Sequence, residues 1–203
     1  MRETLLTITA VGYHYHFEWE VFLNSLLLQT DPRWKCDIWN DGPDKIAEKI
    51  CMEYVNEYPN YFTFRCTPER LNNWGHGMRI MGLAETETKY WATQNADNYL
   101  APTYVEYALK ALEKQNADLV IFPCVHNYEN VNGQGTPPYS VLKVAPKKNR
   151  CDAGSMIVKT ELAQKVGWNH TVEIADGFFI DEIMASQPRP KVVTLPNVLM
   201  VHN

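Results

Sequence analysis

Three side chains stand where clustered anionic oxygens could be gathered: Asp41, Asp97 and His202. Asp41 closes a β-like run from Lys35 to Asn40, and Asp97 follows another from Lys89 to Gln94, inside Gln94-Asn95-Ala96-Asp97-Asn98. His202 comes just after a last β-like run, Lys191 to Leu195. In open α/β sheets ligands sit beyond the carboxyl ends of the strands, so acids directly after strands are the first candidates. The oxygens of a nucleoside diphosphate need a hard cation, and such a cation prefers carboxylates with one imidazole. Asp97 and His202 could supply that pair.

These residues need a scaffold that brings distant segments to one edge. Leu5 to Val11 is a short apolar and β-branched run that reads as a buried first strand. From Phe17 to Gln29 the apolar residues Phe17, Val21, Phe22 and Leu26 recur three to five apart until Asp31-Pro32 stops the pattern, which predicts a helix. Lys35 to Asn40 is the second strand. Asp41-Gly42-Pro43-Asp44 is a turn, with Asp41 as candidate N-cap of a helix that stacks Ala47, Cys51 and Val55 on one face. Further strands are expected at Tyr61 to Cys66, Lys89 to Gln94 and Leu119 to Pro123, with helices at Gly77 to Glu85 and Pro102 to Gln115. Asn127 to Arg150 has neither period and reads as a long loop, of the kind that often carries function. Two short helices, Thr160 to Val166 and Gly177 to Ala185, precede the last β-like run. Strands alternating with helices predict a mostly parallel sheet covered on both faces.

The composition narrows the classes. With 203 residues and 45% hydrophobic content the chain suits one domain with a buried core. Its longest apolar run, Leu26-Leu27-Leu28, is far too short to span a bilayer, and Met1-Arg2-Glu3-Thr4 does not begin a secretory leader, so no membrane span and a cytoplasmic location are expected. The odd set Cys36, Cys51, Cys66, Cys124 and Cys151 forms no C-x-x-C pair and signals neither a disulfide framework nor a zinc site. A net charge of −5 gives no electrostatic footprint for gripping a nucleic-acid backbone.

The order of the motifs resembles the family 2 glycosyltransferases, over nearly the whole chain. Asn24-Ser25-Leu26-Leu27-Leu28-Gln29 is similar to the pattern that closes that family's first helix, and Asn40-Asp41-Gly42-Pro43-Asp44 is similar to its acidic turn. Asn73-Trp74-Gly75-His76-Gly77-Met78-Arg79 looks like the segment that lines the nucleotide and diphosphate pocket, and Asn95-Ala96-Asp97 looks like the metal-binding DxD, with Asn95 at its first acidic position. Val166-Gly167-Trp168 followed by Ala175-Asp176-Gly177 resembles the late glycine turn and the acidic pair at a helix start, Ala175 standing where the family has Glu.

This resemblance implies a single GT-A (Rossmann-like) α/β domain over 1–203, with 1–100 as the nucleotide-binding half and 101–203 as the acceptor-binding and catalytic half. It implies nucleotide contacts from Ala10, Asp41, Asn73, Gly75, Arg79, Asn95 and Ala96, and a Mn²⁺ or Mg²⁺ ion on Asp97 and His202. Asp176 becomes the catalytic base, favoured as an N-cap that points out of the helix start, with Asp181 as the competing assignment. The reaction implied is an inverting displacement: the base takes a proton from an acceptor hydroxyl as that oxygen attacks the anomeric carbon of a nucleotide sugar, a UDP-sugar being favoured. Glycans, small molecules, proteins and modified nucleic-acid bases all remain open as acceptors. Two rivals stand beside it. A sugar-1-phosphate nucleotidyltransferase would need a glycine-rich phosphate loop after the first strand, where this chain has only Gly12. A non-catalytic nucleotide-sugar-binding module would fit the replacements Asn95 and Ala175.

Overall fold

The computed structural model describes residues 3–127, 129 and 137–203. Part of the expected loop from Asn127 to Arg150, residues 128 and 130–136, therefore lies outside the described residues. Strand β1 (Leu6–Gly12) is buried along its whole length and pairs in parallel with β2 (Trp34–Asn40) and β4 (Tyr90–Asn95), while β3 (Phe62–Cys66) extends β2. A strand with parallel neighbours on both sides and helices above and below has no wet face, which is why Leu-Thr-Ile-Thr-Ala-Val-Gly lacks polar alternation. Beyond β4 the sheet continues through β9 (Met156–Lys159), β6 (Leu119–Ile121) and β10 (Val192–Thr194), giving seven strands in the order β10-β6-β9-β4-β1-β2-β3. Strand β9 alone runs antiparallel, to both β4 and β6.

Successive residues of a strand point to opposite faces, and the core divides accordingly. Val120 and Ile157 pack into one cluster with Trp19 and Phe22 of α1 (Phe17–Leu27), Ala47 and Cys51 of α2 (Lys45–Glu57), and Tyr104 and Leu109 of α4 (Tyr104–Lys114). Their strand neighbours Leu119, Ile121, Met156 and Val158 join a second cluster with Leu83 of α3 (His76–Ala84), Ala163 of α5 (Thr160–Val166), and Phe179 and Ile183 of α6 (Ala175–Ala185).

Two departures from the sequence expectations matter for the site. The run at Lys191 to Leu195 is the edge strand β10, whereas His202 lies within a further strand, β11 (Met200–His202), of a second sheet in the order β5-β11-β7-β8. That sheet comprises β5 (Tyr99–Leu100), β7 (Cys124–His126), β8 (Ser140–Leu142) and β11, all three residues long or shorter and hence below what a periodicity can reveal. The second departure is the cap of α2. Asp44 fills it, its Oδ1 accepting the N–H of Ile46 at 2.9 Å and of Ala47 at 3.1 Å, so Asp41 is released for another contact.

Candidate functional site

Register aligns the strand ends. Gly12 lies opposite Asn40, and Val11 opposite Asn95, so the carboxyl ends of β1, β2 and β4 share one rim at the point where the strand order reverses. Above that rim opens a cleft of about 460 Å³, lined among others by Gly12, Tyr13, Asp41, Arg70, Trp74, Gly75, Asn95, Asp97 and His202. Gly75 sits in the left-handed region at φ 79°, and a Cβ there would lie 2.7 Å from Val11 Cγ2. Only glycine lets the start of α3 come this close to β1.

The expected nucleotide residues divide. Asp41, Gly75 and Asn95 line the cleft. The Asp41 carboxylate accepts the backbone N–H of Leu71 at 2.6 Å and of Asn72 at 3.2 Å, holding the segment that carries Arg70 against the end of β2. Ala10 and Ala96 are wholly buried in the core and form no part of the cleft lining. Asn73 is not among the lining residues; its Oδ1 accepts the N–H of Gly77, in the first turn of α3, at 3.2 Å, while Gly75 is the N-cap of that helix.

Arg79 is not among the residues that line the cleft. It is 3% exposed; its Nε donates to Thr93 Oγ1 at 3.1 Å, its Nη1 to the Trp74 carbonyl at 2.7 Å and its Nη2 to Asn95 Oδ1. Burial lowers its pKa to about 10, against the opposing pull of Asp176, Asp152 and Asp97. The arginine that lines the cleft is Arg70, whose guanidinium lies 3.6 Å from the centre of the Tyr13 ring.

Asp97 is held between the sheets. Its Oδ2 accepts the Tyr15 hydroxyl at 2.9 Å, and its Oδ1 is buried without a hydrogen-bond partner among the described residues. Burial raises its pKa, opposed by Tyr15 and His202. A buried, unsatisfied carboxylate oxygen is costly, and a bound cation is one group that relieves it. His202 Nδ1 is 3.0 Å from Asp152 Oδ2, an arrangement in which an N–H on Nδ1 directs the lone pair of Nε2 elsewhere. Burial would lower the His202 pKa, but Asp152 outweighs it and raises it. Cross-strand register places His126 opposite His202, and the two rings stack at 4.3 Å. Ligand atoms of His126, Asp152 and His202 all lie within 4.8 Å of one another.

A second cleft of about 270 Å³ opens on the other side of His202, lined by His126, Arg150, Asp152, Glu173, Asp176 and others. His202 lines both clefts. Asp176 is not an N-cap: Ile174 occupies that position, and Asp176 lies in the first turn of α6 with its Oδ1 accepting the N–H of Gly177 at 2.7 Å. Burial, reinforced by the nearby Asp152 carboxylate, raises its pKa to about 6. Asp181 is exposed, lines neither cleft, and accepts the backbone N–H of Lys148 at 2.9 Å. Sequence reasoning missed Arg70, His126 and Asp152. Asp152 precedes a three-residue turn and His126 ends a three-residue strand, so neither adjoins a run long enough to mark a strand end.

A mostly parallel sheet with a cleft at the reversal of strand order is the arrangement in which open α/β folds bind their ligands. The family model for Glycosyl transferase family 2 matches residues 20–181, well over half the sequence, and the chain belongs to that family. The structure is similar to that of S. aureus TarS 1-349 in complex with UDP, with a TM-score of 0.76 at 14% identity, covering 97% of this chain and 60% of that one. It is likewise similar to the mannosyltransferase PcManGT from Pyrobaculum calidifontis in complex with GDP-Man and Mn²⁺, with a TM-score of 0.76 at 17% identity, covering 100% of this chain and 57% of that one. The chain thus spans about 60% of the length of these solved relatives. No curated protein matches it. Among the described residues no helix is long and apolar enough to cross a membrane.

Proposed function

We propose that the chain is an inverting glycosyltransferase that takes a sugar from a nucleoside diphosphate sugar, held with a divalent cation, and passes it to an acceptor hydroxyl. The observation that carries this reading is the pair of clefts meeting at His202, with Asp97 and its unpartnered Oδ1 on one side and Asp176, at a pKa of about 6, on the other. Asp97 and His202 are the candidate ligands of Mn²⁺ or Mg²⁺, with Asp152 orienting the imidazole. The cation would supply positive charge to the diphosphate as it departs. The neighbours' complexes with UDP, UDP-GlcNAc and GDP-Man support a nucleotide-sugar donor, of which we favour a UDP-sugar.

On this reading Asp41 fixes the Arg70 segment, and exposed Trp74 with Tyr13 offers aromatic surface to the base. Asp176 takes the acceptor proton. A carboxylate whose pKa lies near 6 is ionised at neutral pH yet basic enough to help an attacking hydroxyl. Calorimetric titration of UDP with and without Mn²⁺ tests the donor site: binding should need the metal, and equal affinity in both would remove Asp97 and His202 from the account. The rival, a binding module without catalysis, is favoured by the engagement of Asn95 with Arg79 where the family has an acid. Metal-dependent hydrolysis of a nucleotide sugar separates the two.

A further inference from the structure

The segment joining β1 to α1 alternates aromatic and imidazole side chains, Tyr13-His14-Tyr15-His16. Tyr13 and Tyr15 line the larger cleft. His14 and His16 instead meet Asp44, which is not part of that lining. His14 Nδ1 lies 2.9 Å and His16 Nε2 3.0 Å from the same oxygen, Asp44 Oδ2. The other oxygen of Asp44 is fixed by the first turn of α2, where it accepts the N–H groups of Ile46 and Ala47. His14 reaches this position from the left-handed region, φ 54°, which a residue other than glycine adopts at a cost. All three ligand atoms lie within 4.8 Å of one another.

We propose that His14, His16 and Asp44 form a binding site for a transition-metal ion of the zinc class, separate from the cation of the donor cleft. Two imidazoles and one carboxylate are the donor set of zinc, cobalt or nickel, whereas magnesium and calcium ask for oxygen. Zinc holds such ligands at about 2.0–2.2 Å, so neighbouring donor atoms around a tetrahedral ion stand roughly 3.3 Å apart. The two nitrogen-to-oxygen separations need open by only a few tenths of an ångström, the ion taking the place of the protons now shared with Oδ2, and the two nitrogens already lie within 4.8 Å of each other. The His14 and His16 side chains are 62% and 40% exposed, which leaves solvent access for a fourth ligand, while Asp44 is 8% exposed and anchored. Burial pushes the Asp44 carboxyl up, but His14, the Ala47 and Ile46 N–H groups and His16 together hold it well below the usual range, so it stands ready as an anion. Three ligands from two elements would tie the Tyr13–His16 segment to α2, and with it the tyrosines of the donor cleft.

The site is tested on the full chain without nucleotide, by calorimetric titration with Zn²⁺ and by the visible absorption of added Co²⁺. The double variant His14→Ala with His16→Ala should bind one equivalent fewer than the wild type and lose the corresponding tetrahedral Co²⁺ band. His202→Ala should keep that equivalent, because among the described residues the His126, Asp152 and His202 grouping is the other place where imidazoles could hold the ion. Excess Mg²⁺ should not displace it. Equal stoichiometry in the wild type and the double variant overturns the proposal, as does loss of the equivalent in His202→Ala alone. Circular dichroism of the double variant, whose side chains are largely exposed, guards against reading a folding defect as lost binding.

Discussion

Asp176 and Asp152 both line the smaller cleft, and their mutual repulsion helps to hold Asp176 at a pKa of about 6. Two opposite effects of one substitution follow. Asp176→Asn should lower kcat by roughly 10²-fold or more while leaving UDP affinity unchanged, since a base acts only as the proton moves. In the wild type kcat/KM should fall as pH drops below about 6, because protonated Asp176 cannot accept the proton. Stability should move the other way. The folded pKa lies above the unfolded value of 3.8, so ionising Asp176 disfavours the fold, with no penalty below that value and the full penalty above about 6. Removing the charge should therefore raise the melting temperature of the metal-free protein at pH 7.5 by a few degrees, as differential scanning calorimetry would record. A misfolded variant would lose both activity and stability. Asp181→Asn, on the exposed side of α6, should change neither.

At the scale of elements, the site depends on how closely β1 approaches its neighbours. A Cβ on Gly12 would stand 2.6 Å from the Trp19 ring and 2.8 Å from the Ala96 Cβ, both buried, so Gly12→Ala should destabilise the fold by about 1–3 kcal/mol in denaturant titration. Asp152→Asn should weaken Mn²⁺ binding about 10–100-fold in calorimetry, because the carboxylate that orients the His202 ring is lost. The long elements were legible: the expected run from Thr160 to Val166 is α5, and the β1, α1, β2, α2 and β3 segments fall within a few residues of their periodic patterns. What escaped were the short strands β5, β7, β8, β9 and β11, each fixed by pairing with a distant partner and not by its own pattern. Because β7 carries His126, that residue was hidden with its strand, whereas His202 of β11 was reached through its place after the last β-like run and the family resemblance. The burial of Arg79 was not legible for a related reason. Its helical spacing fits a surface arginine as well as a buried one, and only tertiary packing turns it under Trp74 and Asn95.

At the scale of the molecule, one sheet presents the larger cleft at its strand ends, and the second sheet joins it to the smaller cleft through His202. A ligand that binds only this folded arrangement raises its stability, so UDP should raise the melting temperature with Mn²⁺ present and have little effect in EDTA. The central claim is that these clefts work together to transfer a sugar. Its most direct test is release of nucleoside diphosphate from UDP-GlcNAc, and from GDP-Man as the alternative donor, by the wild type and by Asp176→Asn, each with Mn²⁺ or EDTA. The account predicts slow, Mn²⁺-dependent hydrolysis by the wild type, lost in EDTA and in Asp176→Asn while that variant still binds UDP. Equal release by wild type and Asp176→Asn, or release unaffected by EDTA, would contradict it.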